Sequence, residues 1–402
     1  MKFIAASSLS LALFLGAPQF AAGQATAVAP ATAVAAKPTP IKAALQPFVD
    51  EHALAGAVAL VADRNNVLTI ETVGWADIAA KRPMKDDTVF WIASQTKAIT
   101  AAAVMILVDE GKLSLDDPIE KYLPEMKSLR LAPAKDSKDE PQPPKTKVTI
   151  RQCLSHTSGM PFQSPAEKPT LDCLPLADAV KSYATTPMVA EPGTLYLYSN
   201  AGINTAGRII EVVTGEKYED FLDERLLRPL GMHDTTYWPS AEQVARLATS
   251  YKPNKPKDAD DLEPTKIVYL KYPFDSREGR YPMPGGGLFS TAGDVAKFCR
   301  MLLRGGELGG KRILSEAAVK ELTTNQTGKA VNKDGKPVPY GLGFSTGGDT
   351  FGHGGAMATN MTVHPKTGLI TIWLVQHAGF PKDGGKAAGT FAAKAAELYG
   401  KK

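Results

Sequence analysis

Three short stretches place reactive side chains where acyl transfer would need them: Ser94-Gln95-Thr96-Lys97, Tyr198-Ser199-Asn200 and Gly352-His353-Gly354-Gly355-Ala356. In the first, positions i and i+3 share one face of a helix, so the Lys97 amine can approach the Ser94 hydroxyl. A serine alcohol is a weak nucleophile and requires an adjacent base. Lysine titrates near about 10.4 in water and serves as that base only where its surroundings favour the neutral amine. A serine at a helix start also sets its backbone amide at the positive end of the dipole, which suits an oxyanion. In the second stretch, the Tyr198 phenol can relay a proton to a leaving group, and the Asn200 amide can orient substrate and lysine. In the third, glycines let a substrate lie against the backbone while His353 offers a side chain beside it. Each residue also has a structural reading: Ser94 or Asn200 as a helix cap, Tyr198 as a core aromatic, His353 as a solvent-facing turn residue.

The elements that must position these residues follow from hydrophobic patterning. Residues 55–62 and 67–73 are apolar, β-branched runs about Asp63-Arg64-Asn65-Asn66, the pattern of a hairpin. Residues 96–110 lack Gly and Pro, are rich in Ala and meet Gly111, which predicts a buried helix with a glycine stop and an apolar setting for Lys97. Residues 201–214 before Gly215, and 292–303 before Gly305-Gly306, repeat that pattern. Residues 359–363 and 369–375 predict a late hairpin, and residues 387–398 a closing helix. Two polar stretches, 132–147 with Pro141, Pro143 and Pro144, and 252–265, read as exposed loops. Strands near both ends with helices between them predict an α+β body, with an α/β part about 41–115 and 285–402 and a helical insertion about 116–284.

The order and wide spacing of the three stretches resemble the serine β-lactamase / penicillin-binding-protein family. The likeness is greatest to its class C-related branch, which includes D-alanyl-D-alanine carboxypeptidases, D-aminopeptidases, family VIII esterases and class C β-lactamases. Phe90-Trp-Ile-Ala-Ser94, Leu154-Ser-His-Thr-Ser-Gly159, the glycine-rich run from Gly285 to Gly293 and Tyr340-Gly-Leu-Gly343 add to a resemblance covering about 41–398. It implies a β-lactamase/transpeptidase-like fold, an antiparallel sheet flanked by helices with a mainly helical second subdomain. It also implies Ser94 as nucleophile, Lys97 as its base partner and Tyr198 as proton shuttle. Asn200, His353, Gly354 and Gly355 would bind substrate, and the backbone amides of Ser94 and Ala356 would form the oxyanion hole. No metal or organic cofactor is implied. The chain departs from many β-lactamases in carrying histidine in the third motif, where lysine would hold a permanent charge for a β-lactam carboxylate. A histidine is near half-charged around neutral pH. The expected function is therefore an acyl-enzyme serine hydrolase acting on an ester, D-amino-acid peptide or amide, or β-lactam carbonyl, with peptidase or esterase favoured. The alternatives are a class C-like β-lactamase and a penicillin-binding sensor with negligible turnover.

Two look-alike motifs fall away on context. Lys366-Thr367-Gly368 follows His364-Pro365 where a hairpin turn belongs, and Gly343-Phe-Ser345-Thr-Gly347 lacks the helix that a G-x-S-x-G elbow requires after its serine. The whole chain of 402 residues carries 46 basic and 42 acidic side chains, a net charge of +4, with no basic block to track phosphates. A small-molecule or peptide substrate is therefore expected and a nucleic-acid partner is not. Cys153, Cys173 and Cys299 fit no zinc spacing, and the six histidines contain no HExxH. Met1-Lys2, an apolar run over 3–15 and small residues through Ala21-Ala22-Gly23 read as a secretory signal peptide, 1–23. An Ala/Pro-rich tether, 24–40, and a single catalytic domain, 41–402, follow from it. The protein is expected in the periplasm or outside the cell, with no transmembrane segment after signal removal. Export permits a Cys153–Cys173 disulfide, although two reduced, buried thiols are the preferred reading.

Overall fold

A computed structural model of the protein describes residues 38–134, 138–254 and 261–400; the expected signal peptide, 1–23, and most of the expected tether, 24–40, lie outside the described residues. The Thr39 hydroxyl accepts the Lys42 amide at 3.2 Å and caps α1 (Pro40–Asp50), where Pro40 occupies a first-turn position that requires no N–H donor. Hydrophobic patterning misses this helix because Pro47 sits inside it. The hairpin β1 (Gly56–Ala62) and β2 (Val67–Asp77) turns where Asp63 Oδ1 accepts the amides of Asn65 and Asn66, each at 2.7 Å. A short β3 (Arg82–Pro83) pairs with the end of β2.

The remaining sheet strands come from the far end of the chain: β4 (Ser345–Gly347), β5 (Thr350–Gly354), β6 (Asn360–His364) and β7 (Leu369–Leu374). They complete one antiparallel seven-stranded sheet in the order β4-β5-β6-β7-β1-β2-β3, so β7 against β1 joins the two chain ends. Both faces of this seam are covered, which is why β1 reads as a continuous apolar run and not as an alternation. Ala57, Ala59 and Val61 pack with Ile41 and Leu45 of α1 and with Phe391 of α5 (Ala387–Tyr399). Val58, Leu60 and Ala62 face the larger core, which holds α2 (Thr96–Asp109), α3 (Asn200–Thr214) and α4 (Ala292–Leu303).

Helix α2 is buried continuously from Thr96 to Leu107, as its Ala-rich sequence requires. Gly111 and Gly215 take left-handed φ values of +67° and +75° after α2 and α3, the role their positions predict. Between the two sheet halves lie α3 and several short helices, among them Ile150–Leu154 and Leu176–Tyr183. The polar stretch 252–265 departs from its expected loop character. Its ends pair as a ribbon, Ser250–Pro253 against Leu262–Thr265, anchored by buried Tyr251, whose hydroxyl accepts the Ile78 amide at 2.8 Å. The cysteine expectation is also corrected in part: all three thiols are free, but Cys173 is partly exposed and only Cys153 and Cys299 are buried. Among the described residues no helix is long and apolar enough to cross a membrane.

Candidate active site

Ser94 sits in a short 3-10 turn, Ala93–Gln95, that runs directly into α2. The turn is held from behind by pairing of Phe90–Trp91 with Phe289–Ser290 and by the Ile92 amide donating to the Leu288 carbonyl at 3.0 Å. Ala93 takes φ +47°, a left-handed conformation that a non-glycine residue adopts at a cost of about 1–2 kcal/mol. Backbone strain of this kind is commonly stored at functional sites. The helix-cap reading of Ser94 fails, because α2 has no side-chain cap and it is the Thr96 hydroxyl that bonds back, to the Ala93 carbonyl at 2.6 Å.

Lys97 lies one turn along, fully buried, with its Nζ 3.1 Å from Ser94 Oγ, 2.7 Å from Asn200 Oδ1 and hydrogen-bonded to the Gly285 carbonyl. Burial pushes its pKa down from the ordinary 10.5 to about 7. Two of the three partners, a carbonyl and an amide oxygen, can only accept. A neutral amine therefore spends both N–H groups on them and turns its lone pair towards the Ser94 hydroxyl. Tyr198 rests its ring 4.7 Å from Nζ. Desolvation pushes the Tyr198 phenol above its ordinary range, with a hydrogen bond to Ser94 pulling the other way, so the phenol keeps its proton at neutral pH. Between the two candidate bases, the balance falls on Lys97, and Tyr198 is the group able to donate.

Asn200 is free to face Lys97 because Ser199, not Asn200, caps α3: its hydroxyl accepts the Gly202 amide at 3.0 Å. The Gly285 carbonyl is set in turn by Asn204, whose Oδ1 accepts the Gly285 amide at 2.9 Å. A Cβ on Gly285 would lie 2.9 Å from Asn200 Oδ1, so only glycine leaves the lysine's partners undisturbed. Gly285 belongs to a stretch that marks the family resemblance, but neither its carbonyl nor Asn204 carries a sequence signal of its own.

His353 and Gly354 end β5 past the last pair with β4, Ser345 with Gly352, and so border a cavity of about 460 Å³. Ser94, Tyr198, Asn200, Gly355 and Ala356 line the same cavity, which brings all the residues singled out in the sequence to one place, with Lys97 beneath Ser94. Gly355 is needed for close approach, since a Cβ there would meet Ile92 O at 2.6 Å; one on Gly354 would meet nothing nearer than 3.6 Å. The outer walls are Trp91, Phe162, Leu171, Tyr269 and Met283, and among the described residues no Asp, Glu, Lys or Arg lines the cavity. His353 departs from expectation. Burial, with Lys97 nearby, pushes its pKa from 6.5 to about 4, so the ring is neutral and not half-charged at pH 7. Both look-alike motifs lie elsewhere: Ser345 is exposed on β4, and Lys366 sits in the β6–β7 turn paired with Asp349 at 2.7 Å.

The sequence matches the Beta-lactamase family over residues 41–396. The chain belongs to the beta-lactamase family. Protein Rv1367c of Mycobacterium tuberculosis (strain ATCC 25618 / H37Rv) is 33% identical over 365 residues, covering 84% of this chain and 89% of its own. Esterase EstB of Burkholderia gladioli is 31% identical over 61% of this chain and 65% of its own. In three dimensions the chain is similar to EstCE1, described as a hydrolase with promiscuous acyltransferase activity, with a TM-score of 0.71 and 24% identity over 88% of this chain and 97% of that one. As a beta-lactamase-family protein it is a serine hydrolase with the β-lactamase/transpeptidase fold expected from its motifs.

Proposed function

We propose that this hydrolase is an exported esterase that works through an acyl-enzyme on Ser94 and prefers uncharged substrates. The observation that carries this reading is the cavity lining, which is apolar on its outer walls and, among the described residues, holds no permanently charged side chain. A substrate ending in a carboxylate, as a β-lactam or a D-alanyl peptide does, would leave its charge unpaired there. The name of the Burkholderia gladioli relative points the same way.

In this reading Lys97, neutral in about half of the molecules near pH 7, takes the Ser94 proton as Oγ attacks the ester carbonyl. The backbone amides of Ser94 and Ala356 hold the oxyanion. The leaving alkoxide takes a proton by way of Tyr198, and water then attacks the acyl-serine to release the acid. Asn200 holds the lysine and the substrate, while Gly354 and Gly355 leave room for the substrate along β5. The chemistry asks for no metal or cofactor. Residues 1–23 act as the signal peptide, 24–40 as a tether and 41–402 as the catalytic domain, placing the enzyme in the periplasm or beyond.

The test is a panel of a neutral chromogenic ester, a D-amino-acid amide and an anionic cephalosporin, run on the wild type and on Ser94→Ala, with fluorophosphonate labelling read by peptide mass. The expected result is fastest turnover of the ester, its loss in the variant, and an adduct on the Ser94 peptide. Turnover that survives Ser94→Ala, an adduct on Ser345, or a preference for the cephalosporin would overturn the reading.

A further inference from the structure

Two buried titratable residues behind the cavity have no part in the steps above. His156, fully buried, follows the helix Ile150–Leu154, and Tyr340, 1% exposed, precedes β4. They lie in one hydrogen-bonded chain with the third motif. The Ser199 amide meets His156 Nδ1 at 3.1 Å, His156 Nε2 meets Tyr340 Oη at 3.2 Å, Tyr340 Oη meets His353 Nε2 at 2.9 Å, and His353 Nδ1 meets the Gly354 carbonyl at 2.6 Å.

Backbone groups of fixed polarity stand at both ends, and they set every proton between. An amide N–H only donates, so His156 Nδ1 is a lone pair and Nε2 of the neutral ring carries the hydrogen. A carbonyl only accepts, so His353 Nδ1 carries its hydrogen and Nε2 is the lone pair. Tyr340 then accepts from His156 and donates to His353, which is the one arrangement that leaves no buried polar atom of the chain unpaired. His156 also holds φ +60°, a strained conformation, and lays its ring 4.4 Å from that of Tyr198.

We infer that His156 and Tyr340 are positioning residues that bolt Tyr198-Ser199-Asn200 to the edge of β5 and lock His353 as a neutral Nδ1–H tautomer with no donor or lone pair left for substrate. On this account the third-motif histidine excludes anionic substrates by being occupied. The inference rests on the esterase reading for its consequence, but the tautomer belongs to the resting protein and can be measured without turnover. The titratable groups facing the His353 ring are Lys97, His156, Tyr198 and Tyr340, none of which is a carboxylate able to hold it charged.

The experiment is two-bond 15N–1H correlation of histidine-labelled protein across pH 5–8, assigned with His353→Gln. Wild-type His353 should show the Nδ1–H pattern without titrating. In Tyr340→Phe its Nε2 loses its donor while burial still holds the ring neutral, so the Nδ1–H pattern should give way to a mixture with the Nε2–H tautomer. The kcat/KM ratio of an anionic to a neutral ester should then rise roughly tenfold over the wild type at pH 7, as an Nε2–H donor for a carboxylate becomes available. The double variant Tyr340→Phe/His353→Gln should lose that rise. An Nε2–H tautomer or titration of His353 in the wild type would overturn the inference, as would a Tyr340→Phe ratio equal to that of the wild type. Failure of Ser94 to acylate would sink the esterase reading alone and leave the tautomer result standing.

Discussion

Replacing Asn200 with Asp tests the lysine directly, because it changes charge at one of the lysine's two acceptors while keeping shape. In the wild type the amine must be neutral to accept the Ser94 proton, so kcat/KM for a neutral ester should fall as pH drops through about 7, the depressed value that burial gives Lys97. A carboxylate at the 2.7 Å position of Asn200 Oδ1 favours the ammonium and should raise that titration by about 1–3 pH units. The limb then lies near about 8–10. At pH 7 the neutral fraction drops from about half to between roughly 10% and 0.1%, a loss of about 5- to 500-fold in kcat/KM. The loss should reverse at alkaline pH, which a misfolded or substrate-blind variant would not do. The assay is the full pH profile of kcat/KM on a neutral chromogenic ester, corrected for spontaneous hydrolysis. An acid limb that stays near 7 in Asn200→Asp, or no limb between pH 6 and 8 in the wild type, would refute Lys97 as the titrating base.

The same burial has a stability consequence: between about pH 7 and 10.5 the unfolded chain holds a proton on Lys97 that the folded one lacks, so stability contributed here grows as pH rises through that window. Lys97→Met should therefore abolish activity yet raise the melting temperature, with a gain about 2–3 kcal/mol larger at pH 6 than at pH 9; equal gains at both pH values would count against it. Gly354→Ala should fold as the wild type and lose kcat/KM progressively with substrate bulk, whereas Gly355→Ala should lower the melting temperature by pressing on Ile92. Circular dichroism melts beside a series of acyl chain lengths separate the two, and identical behaviour would remove Gly354 from the substrate path.

Much of the fold was legible because periodicity and punctuation agreed. The apolar runs about Asp63-Arg64-Asn65-Asn66, the Gly-stopped helices α2 and α3, and the late hairpin stand where patterning places them. What escaped was held by non-local contacts. Helix α1 forms against α5 and β1 despite Pro47, and the ribbon at 250–265 forms because Tyr251 is buried. Short strands β4 and β5 consist largely of Gly, Ser and Thr, whose sequence says turn; register with β6 makes them strand.

The site divides along the same line. Ser94 and Lys97 lie three positions apart where the 3-10 turn runs into α2, so their meeting is a local matter and could be read directly. Residue type alone left His353 open, since imidazole can be charged, donor or acceptor near neutral pH. Its state is decided by a tyrosine thirteen positions earlier and by a histidine on another element, and through them by the Ser199 amide that opens α3. A surface histidine with the same neighbours in sequence would titrate freely; this one is buried and spoken for on both nitrogens. On the proposed reading, the third motif of this hydrolase would select against a charged substrate by what its partners take from the ring, and a lysine there could not be held the same way, having three donors and no acceptor for Tyr340.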